Sequence, residues 1–140
     1  MPLARNEVLQ ALRRLLSNGP LDGFPKRDED RQMLLALGAW RVREAAVGGE
    51  KELNEVLDSW LSGFCDPALD HVSFRRALVD FEFMGRSIDG ARYWLNNPQI
   101  HRVLTPDALD VEPTEVMARV EREREARKRS YLAAEDPGNT

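Results

Sequence analysis

The sequence predicts a mainly α fold with a small β-hairpin, in which a winged-helix-like domain carries a helical C-terminal arm. Two helical patterns, residues 50–62 and 71–83, are separated by a short break and followed directly by a hairpin turn signal. Helix, turn, helix and hairpin is the order of elements in a small winged-helix module. The predicted organisation is an N-terminal helix over residues 1–19, the winged-helix-like domain over residues 20–97, and a linker with a charged helix and disordered tail over residues 98–140.

The composition is that of one cytoplasmic protein. At 140 residues the chain can bury a core without disulfides or metals. Its single cysteine, Cys65, excludes an intramolecular disulfide and fits a reducing compartment. The amphipathic, charged start lacks the apolar core of a signal peptide, and no stretch reaches membrane-spanning length, so no membrane partner is expected. The net charge of −4 argues against a protein that coats nucleic acid, although a local basic face is enough to bind DNA.

The first two helices are predicted from apolar periodicity. The first runs over about residues 2–16, and Gly19 lies just past its end. The second begins at a cap supplied by Asp28 or Asp30 and runs to about Glu44. Because the second helix is apolar on several sides, we expect it to be the buried central helix of the core.

The third and fourth helices carry different surfaces. The third, residues 50–62, has an acidic outer face that would repel phosphates. The fourth, about residues 71–83 with Asp70 as its N-cap, has one apolar face towards the core and a second apolar stripe on the opposite side. This second stripe is covered either by the hairpin and neighbouring segments or, if it is exposed in the monomer, by a protein partner or a second copy of the chain. Its members are Val72, Val79 and Phe83.

The hairpin is predicted from an Asp89-Gly90 pair between two short extended runs. This pair is typical of a type I′ turn, in which both central residues need a positive φ. A two-residue loop at this position pairs Arg86 with Tyr93 across the strands.

The segment after the hairpin is predicted to lie outside the compact core. Residues 98–111 are expected to form a loop with one helical turn that Thr105 caps. A last helix, dense in Glu and Arg, is expected from about residue 113 to 134. Two alternatives remain open for it, a solvated arm and an arm that packs on another subunit. Residues 135–140 are predicted to be disordered.

A series of motifs lies in order along the central half of the chain, over roughly residues 24–94. The motifs are Phe24-Pro25, the run from Glu50 to Leu57, Asp70 followed by the run from Phe74 to Asp80, then Arg86, Gly90, Tyr93 and Trp94. Together they resemble a bacterial domain of unknown function, DUF2087, found alone or attached to transcription regulators. The family often has an aromatic and a hydroxyl residue just before the first glutamate, where this chain has Gly48-Gly49.

The resemblance implies a winged-helix-like domain linked to transcription control, and it implies no catalytic residues. On such a domain the helix before the hairpin meets DNA, and a guanidinium can bind guanine or phosphate. The candidate DNA-binding residues are Arg75, Arg86 and Arg92. Arg76 lies among the apolar stripe and is expected to be partly buried, where a guanidinium requires a carboxylate. The candidate partners in this structural ion pair are Glu52, Asp70 and Asp80.

No enzyme activity, metal site or cofactor is predicted. Cys65, Asp66, Asp70 and His71 crowd one turn and include the residue types of a cysteine nucleophile with its base. Turn and cap chemistry explains them better, and one Cys with one His falls short of a structural zinc set. The chain has no nucleophile elbow and no glycine loop that would cradle phosphates.

Two functions therefore remain from the sequence. The leading hypothesis is a cytoplasmic bacterial transcription regulator that binds double-stranded DNA through the fourth helix and the hairpin. The alternative is a non-catalytic adaptor that uses the same fold to bind a protein partner or to form a homodimer. The arginines favour the first hypothesis, and the net acidity and the second apolar stripe favour the second.

Overall fold

The computed structural model describes residues 1–134. Those residues form six α-helices and one two-stranded antiparallel hairpin, which confirms the predicted fold class. The predicted disorder of residues 135–140 lies outside the described part of the chain. The elements are α1 (Arg5–Leu15), α2 (Asp28–Arg41), α3 (Glu50–Ser62), α4 (His71–Asp80), β1 (Met84–Arg86), β2 (Tyr93–Leu95), α5 (Asn97–Val103) and α6 (Pro113–Ala134), with short 3₁₀ turns at Ala45–Gly48 and Pro106–Ala108.

α2 is the central helix, as its apolar pattern predicts. Side chains around its whole circumference are buried between Met33 and Ala39, and α3, α4 and α5 pack against it. The helix begins after Arg27, so neither predicted aspartate is its N-cap. Instead the buried carboxylate of Asp30 accepts two hydrogen bonds, of 2.7 and 3.0 Å, from the guanidinium of Arg14. This bidentate ion pair ties α1 to the first turn of α2.

An aromatic cluster fixes α4 against α2 and α3. The Phe74 ring lies 5.7 Å from the Phe24 ring and 5.7 Å from the Trp60 ring, and Trp60 meets Phe64 edge-on at 4.8 Å. Gly38 of α2 leaves room for this contact, because a Cβ there would lie 2.5 Å from a Phe74 ring carbon. The position of α4 is therefore set by aromatic packing on its inner face.

α4 ends three residues earlier than the pattern predicts. Its C-cap is Phe81, and the next residue, Glu82, has a φ of 66°. The Glu82 N–H donates to the carbonyl of Val79 at 3.0 Å, and the Phe83 N–H donates to that of Leu78 at 2.9 Å. This is the Schellman arrangement, in which a left-handed residue closes the helix and turns the chain away from its axis.

This turn removes the predicted apolar stripe from the surface. Phe83 no longer follows the helical spacing and is fully buried in the core. Val72 and Val79 are only half-buried, and Val79 packs at the edge of the core. The alternative in which a partner covers an exposed stripe at Val72, Val79 and Phe83 is therefore wrong, because α4 ends before Phe83 and the chain itself buries that side chain.

The hairpin has the predicted register but a different turn. Arg86 pairs with Tyr93, as expected, and the strands are antiparallel. Gly90 has a φ of 73°, but the φ of Asp89 is not positive, so the turn is not type I′. The loop instead spans four residues, 88–91.

Side-chain hydrogen bonds explain the wider loop. The Asp89 carboxylate accepts from the Ser87 hydroxyl at 2.7 Å and from the Ala91 N–H at 3.0 Å. The Gly90 N–H closes a turn onto the Ser87 carbonyl at 2.9 Å. An aspartate that bonds the backbone two residues further on replaces part of the backbone pairing of a tight turn.

The segment predicted as a loop outside the core is part of it. α5 packs against α2, and Pro98 lies in its first turn, where proline is tolerated. The N-terminus joins here, since the Leu3 N–H donates to the Val103 carbonyl at 2.8 Å. The loop prediction is wrong for Asn97–Val103, which is helical, whereas the predicted helical turn is present at Pro106–Ala108 with Thr105 as its N-cap. The apolar residues of residues 98–111 recur at helical spacing, so the sequence itself carried the signal for α5. Those that are fully buried are Ile100, Leu104 and Ala108.

α6 begins at Pro113, as predicted, and its first half packs against α1 of the same chain. Val116 and Val120 are buried there, and Arg13 of α1 forms an ion pair with Glu123 at 2.5 Å. Residues 124–134 are exposed. Across residues 1–134, no helix combines the length and the apolar character needed to cross a membrane.

Candidate nucleic-acid interface

A cleft of about 210 Å³ separates α4 from the hairpin. The left-handed turn at Glu82 folds β1 back beside α4, so that the two elements form opposite walls. Three of the six lining side chains are arginines, and the others are a valine, an aspartate and a tyrosine. The lining residues are Arg75, Arg76, Val79, Asp80, Arg86 and Tyr93.

Arg75 is held by α3 and is not free to contact DNA. Its guanidinium lies 3.1 Å from the Glu50 carboxylate and donates a hydrogen bond to the Asn54 side-chain oxygen. The side chain is only 15 % exposed. Arg75 therefore makes the structural ion pair that was predicted for its neighbour, and it joins α4 to the first turn of α3.

Arg76 is exposed, which corrects the prediction of a buried ion pair. Within residues 1–134, none of the three predicted carboxylates pairs with it. The physical reason is the early end of α4, which leaves no Phe83 beside Arg76 to bury it. Arg76 takes the exposed position that the sequence suggested for Arg75.

The three predicted carboxylate partners have other positions. Asp70 is the N-cap of α4 and accepts a 2.7 Å hydrogen bond from the Ser73 N–H, which lowers the pKa of its carboxyl. Glu52 is exposed on α3, with its carboxylate over Gly48. Asp80 is exposed and lines the cleft.

Arg86 and Arg92 are both exposed on the hairpin, as predicted. The Arg86 guanidinium packs closely against Gly90 of the loop. A Cβ added at Gly90 would lie only 2.6 Å from the Nη2 atom of Arg86. Glycine suits position 90 for two reasons: it adopts the positive φ without steric cost, and its lack of a Cβ leaves room for the Arg86 side chain. Arg92 lies directly before β2, next to the loop, and its carbonyl accepts from the Ser87 N–H at 3.0 Å.

Tyr93 is a cleft residue that the sequence alone did not single out. It is only 5 % exposed, yet it lines the cleft, and its hydroxyl makes no hydrogen bond to any of residues 1–134. The signal that could have found it is its register, because it is the cross-strand partner of Arg86.

The rest of the hairpin surface is partly apolar. Trp94 is 53 % exposed and covers Gly85 of the opposite strand, where a Cβ would overlap its indole. Ile88 is fully exposed in the loop. An aromatic side chain that covers a cross-strand glycine stabilises a short hairpin, which accounts for the exposed position of Trp94.

Acidic side chains restrict where an anionic partner can approach. Glu52, Glu55 and Asp58 are all exposed on α3. Phosphates would be repelled from that helix, whereas the cleft presents Arg76 and Arg86. A polyanion is therefore favoured on the side of α4 and the hairpin, away from α3.

The residues of the turn before α4 make structural contacts. Cys65 is buried, and desolvation raises the pKa of its thiol to about 12, which leaves little reactive thiolate at neutral pH. Asp66 accepts a hydrogen bond from the Ala68 N–H, and Asp70 caps α4. In the described part of the chain, no three His, Cys, Asp or Glu side chains are grouped to hold a metal ion.

Comparison with known proteins adds one finding. A family model described as "Uncharacterized protein conserved in bacteria (DUF2087)" matches residues 20–95, more than half of the chain. The matched segment begins before α2 and ends with β2, so it contains α4, the hairpin and the cleft between them. Searches of curated proteins and of solved structures gave no match.

Proposed function

The chain belongs to the DUF2087 family of bacterial proteins, and from the cleft between α4 and the hairpin we propose that it is a non-catalytic, cytoplasmic regulator of transcription that binds double-stranded DNA. The observation that carries the proposal is the placement of Arg76 and Arg86 on opposite walls of one exposed cleft. Two guanidinium groups that face solvent across a cleft are suited to an anion such as the DNA backbone.

The order of elements supports this function. α3, α4 and the hairpin follow one another as do the helix-turn-helix and wing of a winged-helix module. In such a module the second helix approaches a DNA groove, and the hairpin touches the adjacent backbone. We assign these contacts to Arg76 on α4 and to Arg86 and Arg92 on the hairpin.

Arg75 has a positioning role in this proposal. Its contacts with Glu50 and Asn54 join α4 to α3 at the end nearer the cleft. With Arg75 held there, the neighbouring Arg76 projects to solvent. A partly buried ion pair of this kind fixes orientation more than it adds stability.

The adaptor hypothesis keeps the support of the net acidity and loses that of the second apolar stripe. Its binding surface was the stripe that included Phe83, and that side chain is fully buried. The cleft offers charge rather than an apolar surface, since Val79 is its one aliphatic lining residue. DNA is therefore the partner that the geometry favours.

The test is DNA affinity after removal of the hairpin arginines. Arg86→Ala with Arg92→Ala should weaken binding to mixed-sequence duplex DNA equally on all sequences. The slope of log affinity against log salt should fall by about 0.9 for each phosphate that loses its neutralising arginine. The matched control is Arg122→Ala with Arg129→Ala, which removes the same charge from exposed positions of α6. If the two double variants weaken DNA binding equally, the attraction is non-specific and the hairpin is not the DNA contact.

A further inference from the structure

We propose that the cleft between α4 and the hairpin is a clamp for a single backbone phosphate of duplex DNA, formed by Arg76, Arg86 and the Tyr93 hydroxyl. This inference rests on the proposed function and assigns a defined ligand group to the cleft. It differs from a general basic surface because two arginines share one phosphate and an uncharged hydroxyl completes the site.

The size of the cleft favours a small group. Its volume of about 210 Å³ is below the range of about 300–1,000 Å³ typical of pockets for drug-sized ligands. A nucleotide base together with its sugar would therefore not be enclosed, whereas a phosphate group fits between the walls.

The charge of the cleft favours a monoanion. Arg75 is matched by Glu50 at 3.1 Å, so it adds no net charge. Arg76 and Arg86 contribute two positive charges, and Asp80 on the same lining contributes one negative charge. The lining itself therefore carries one net positive charge, the sign that a backbone phosphodiester requires, and the nearby Asp89 carboxylate of the loop weakens the field of Arg86.

Tyr93 supplies the observation that points to a ligand. The side chain is 5 % exposed, and its hydroxyl makes no hydrogen bond to the described residues. Among the described residues, the one buried side-chain polar atom without a hydrogen-bond partner is Arg31 Nε, so the Tyr93 hydroxyl is open to the cleft. A phenol in that position donates well to a charged oxygen. A phosphate oxygen between Arg76 and Arg86 would be the acceptor that the protein itself does not provide.

The hydroxyl can be tested by Tyr93→Phe. Because that hydroxyl bonds to no described residue, its removal should leave the thermal midpoint unchanged. We expect affinity for mixed-sequence duplex DNA to fall by about fivefold, the effect of one hydrogen bond, with no change in the salt slope. Unchanged affinity at an unchanged midpoint would overturn the role of Tyr93.

The sharing of one phosphate can be tested by a double-mutant cycle. Arg76→Gln combined with Arg86→Gln should lower the salt slope by about 0.9, the value for one phosphate, whereas two separate phosphates predict about 1.8. A matched double variant, Arg122→Gln with Arg129→Gln, should leave the slope unchanged.

The outcomes separate the two proposals. If the wild-type protein binds DNA and the arginine effects on the slope add, the clamp is wrong and the proposed function stands. If the wild-type protein binds DNA and the Arg76→Gln, Arg86→Gln double variant leaves the slope unchanged, the cleft is not the contact. If the wild-type protein does not bind duplex DNA even at low salt, the proposed function fails, and the clamp fails with it.

Discussion

Glu82 holds the backbone conformation on which the cleft depends. Of the described non-glycine residues it alone has a positive φ, 66°, and it stands at the point where α4 gives way to β1. A left-handed conformation costs a residue with a Cβ about 1–2 kcal/mol. The hydrogen bonds of the Schellman turn and the burial of Phe83 hold Glu82 in place.

We expect Glu82→Gly to stabilise the protein. Glycine adopts the left-handed conformation without the steric cost, but it makes the unfolded chain more flexible, so the net gain should be up to about 1 kcal/mol. Chemical denaturation measures the free energy of unfolding. Glu82→Ala is the control, because it removes the same charge and keeps the Cβ. An equal gain from alanine would show that the carboxylate, and not the φ angle, is the source of the cost.

Asp70 stabilises α4 through its first turn. Its carboxylate accepts the Ser73 N–H at 2.7 Å, so Asp70→Ala should lower the free energy of unfolding at pH 7 by about 1 kcal/mol. Hydrogen bonds to the charged form lower its pKa in the folded state. The ionic part of this stabilisation is therefore fully present above the unfolded-state pKa and is lost as pH falls through the lower, folded-state pKa.

The pH dependence of the Asp70→Ala effect is the check. The difference in unfolding free energy between wild type and variant should shrink as pH falls below the ordinary pKa of an aspartate, about 3.9. A difference that grew below that pH would contradict the assignment of Asp70 as an ionised cap.

At the scale of elements, α5 extends the core beyond the hairpin. Ile100 is fully buried where α5 packs on α2, whereas the adjacent His101 is exposed. Ile100→Ala should lower the free energy of unfolding by about 2–5 kcal/mol, because it leaves a cavity in the core. His101→Ala should change it by less than about 0.5 kcal/mol. Equal, small effects of both substitutions would place α5 outside the cooperative core.

The elements that sequence analysis predicted well are those with strong local patterns. α3 has the predicted bounds because its apolar side repeats at helical spacing, and α2 is central because it is apolar on several sides. The pairing of Arg86 with Tyr93 followed from the position of the turn between the strands. In each case the information lies within about fifteen neighbouring residues.

The features that sequence analysis missed depend on contacts between distant residues. Nothing near Glu82 marks a left-handed residue, since glycine is the usual choice there. The exchange of roles between Arg75 and Arg76 follows from that turn and from the distance of Arg75 to Glu50 on another helix. Tyr93 becomes a cleft residue only when the hairpin packs beside α4.

At the scale of the whole molecule, charge is distributed unevenly. The net charge is −4, and α3 exposes acidic side chains, yet the cleft presents Arg76 and Arg86 to solvent. A polyanion should therefore meet the protein in one orientation, with the cleft towards it. Such an acidic protein should bind DNA weakly at physiological salt and more tightly at low salt.

The most direct test of DNA binding is the affinity of the purified wild-type protein for mixed-sequence duplex DNA, measured by fluorescence anisotropy at low and at moderate salt. We expect saturable binding at low salt that weakens steeply as salt rises, with a slope set by the few phosphates that Arg76, Arg86 and Arg92 can neutralise. Such a result would justify a search for the preferred sequence. Absence of binding at low salt, with the protein folded, would contradict the proposal that the cleft is a DNA-binding site.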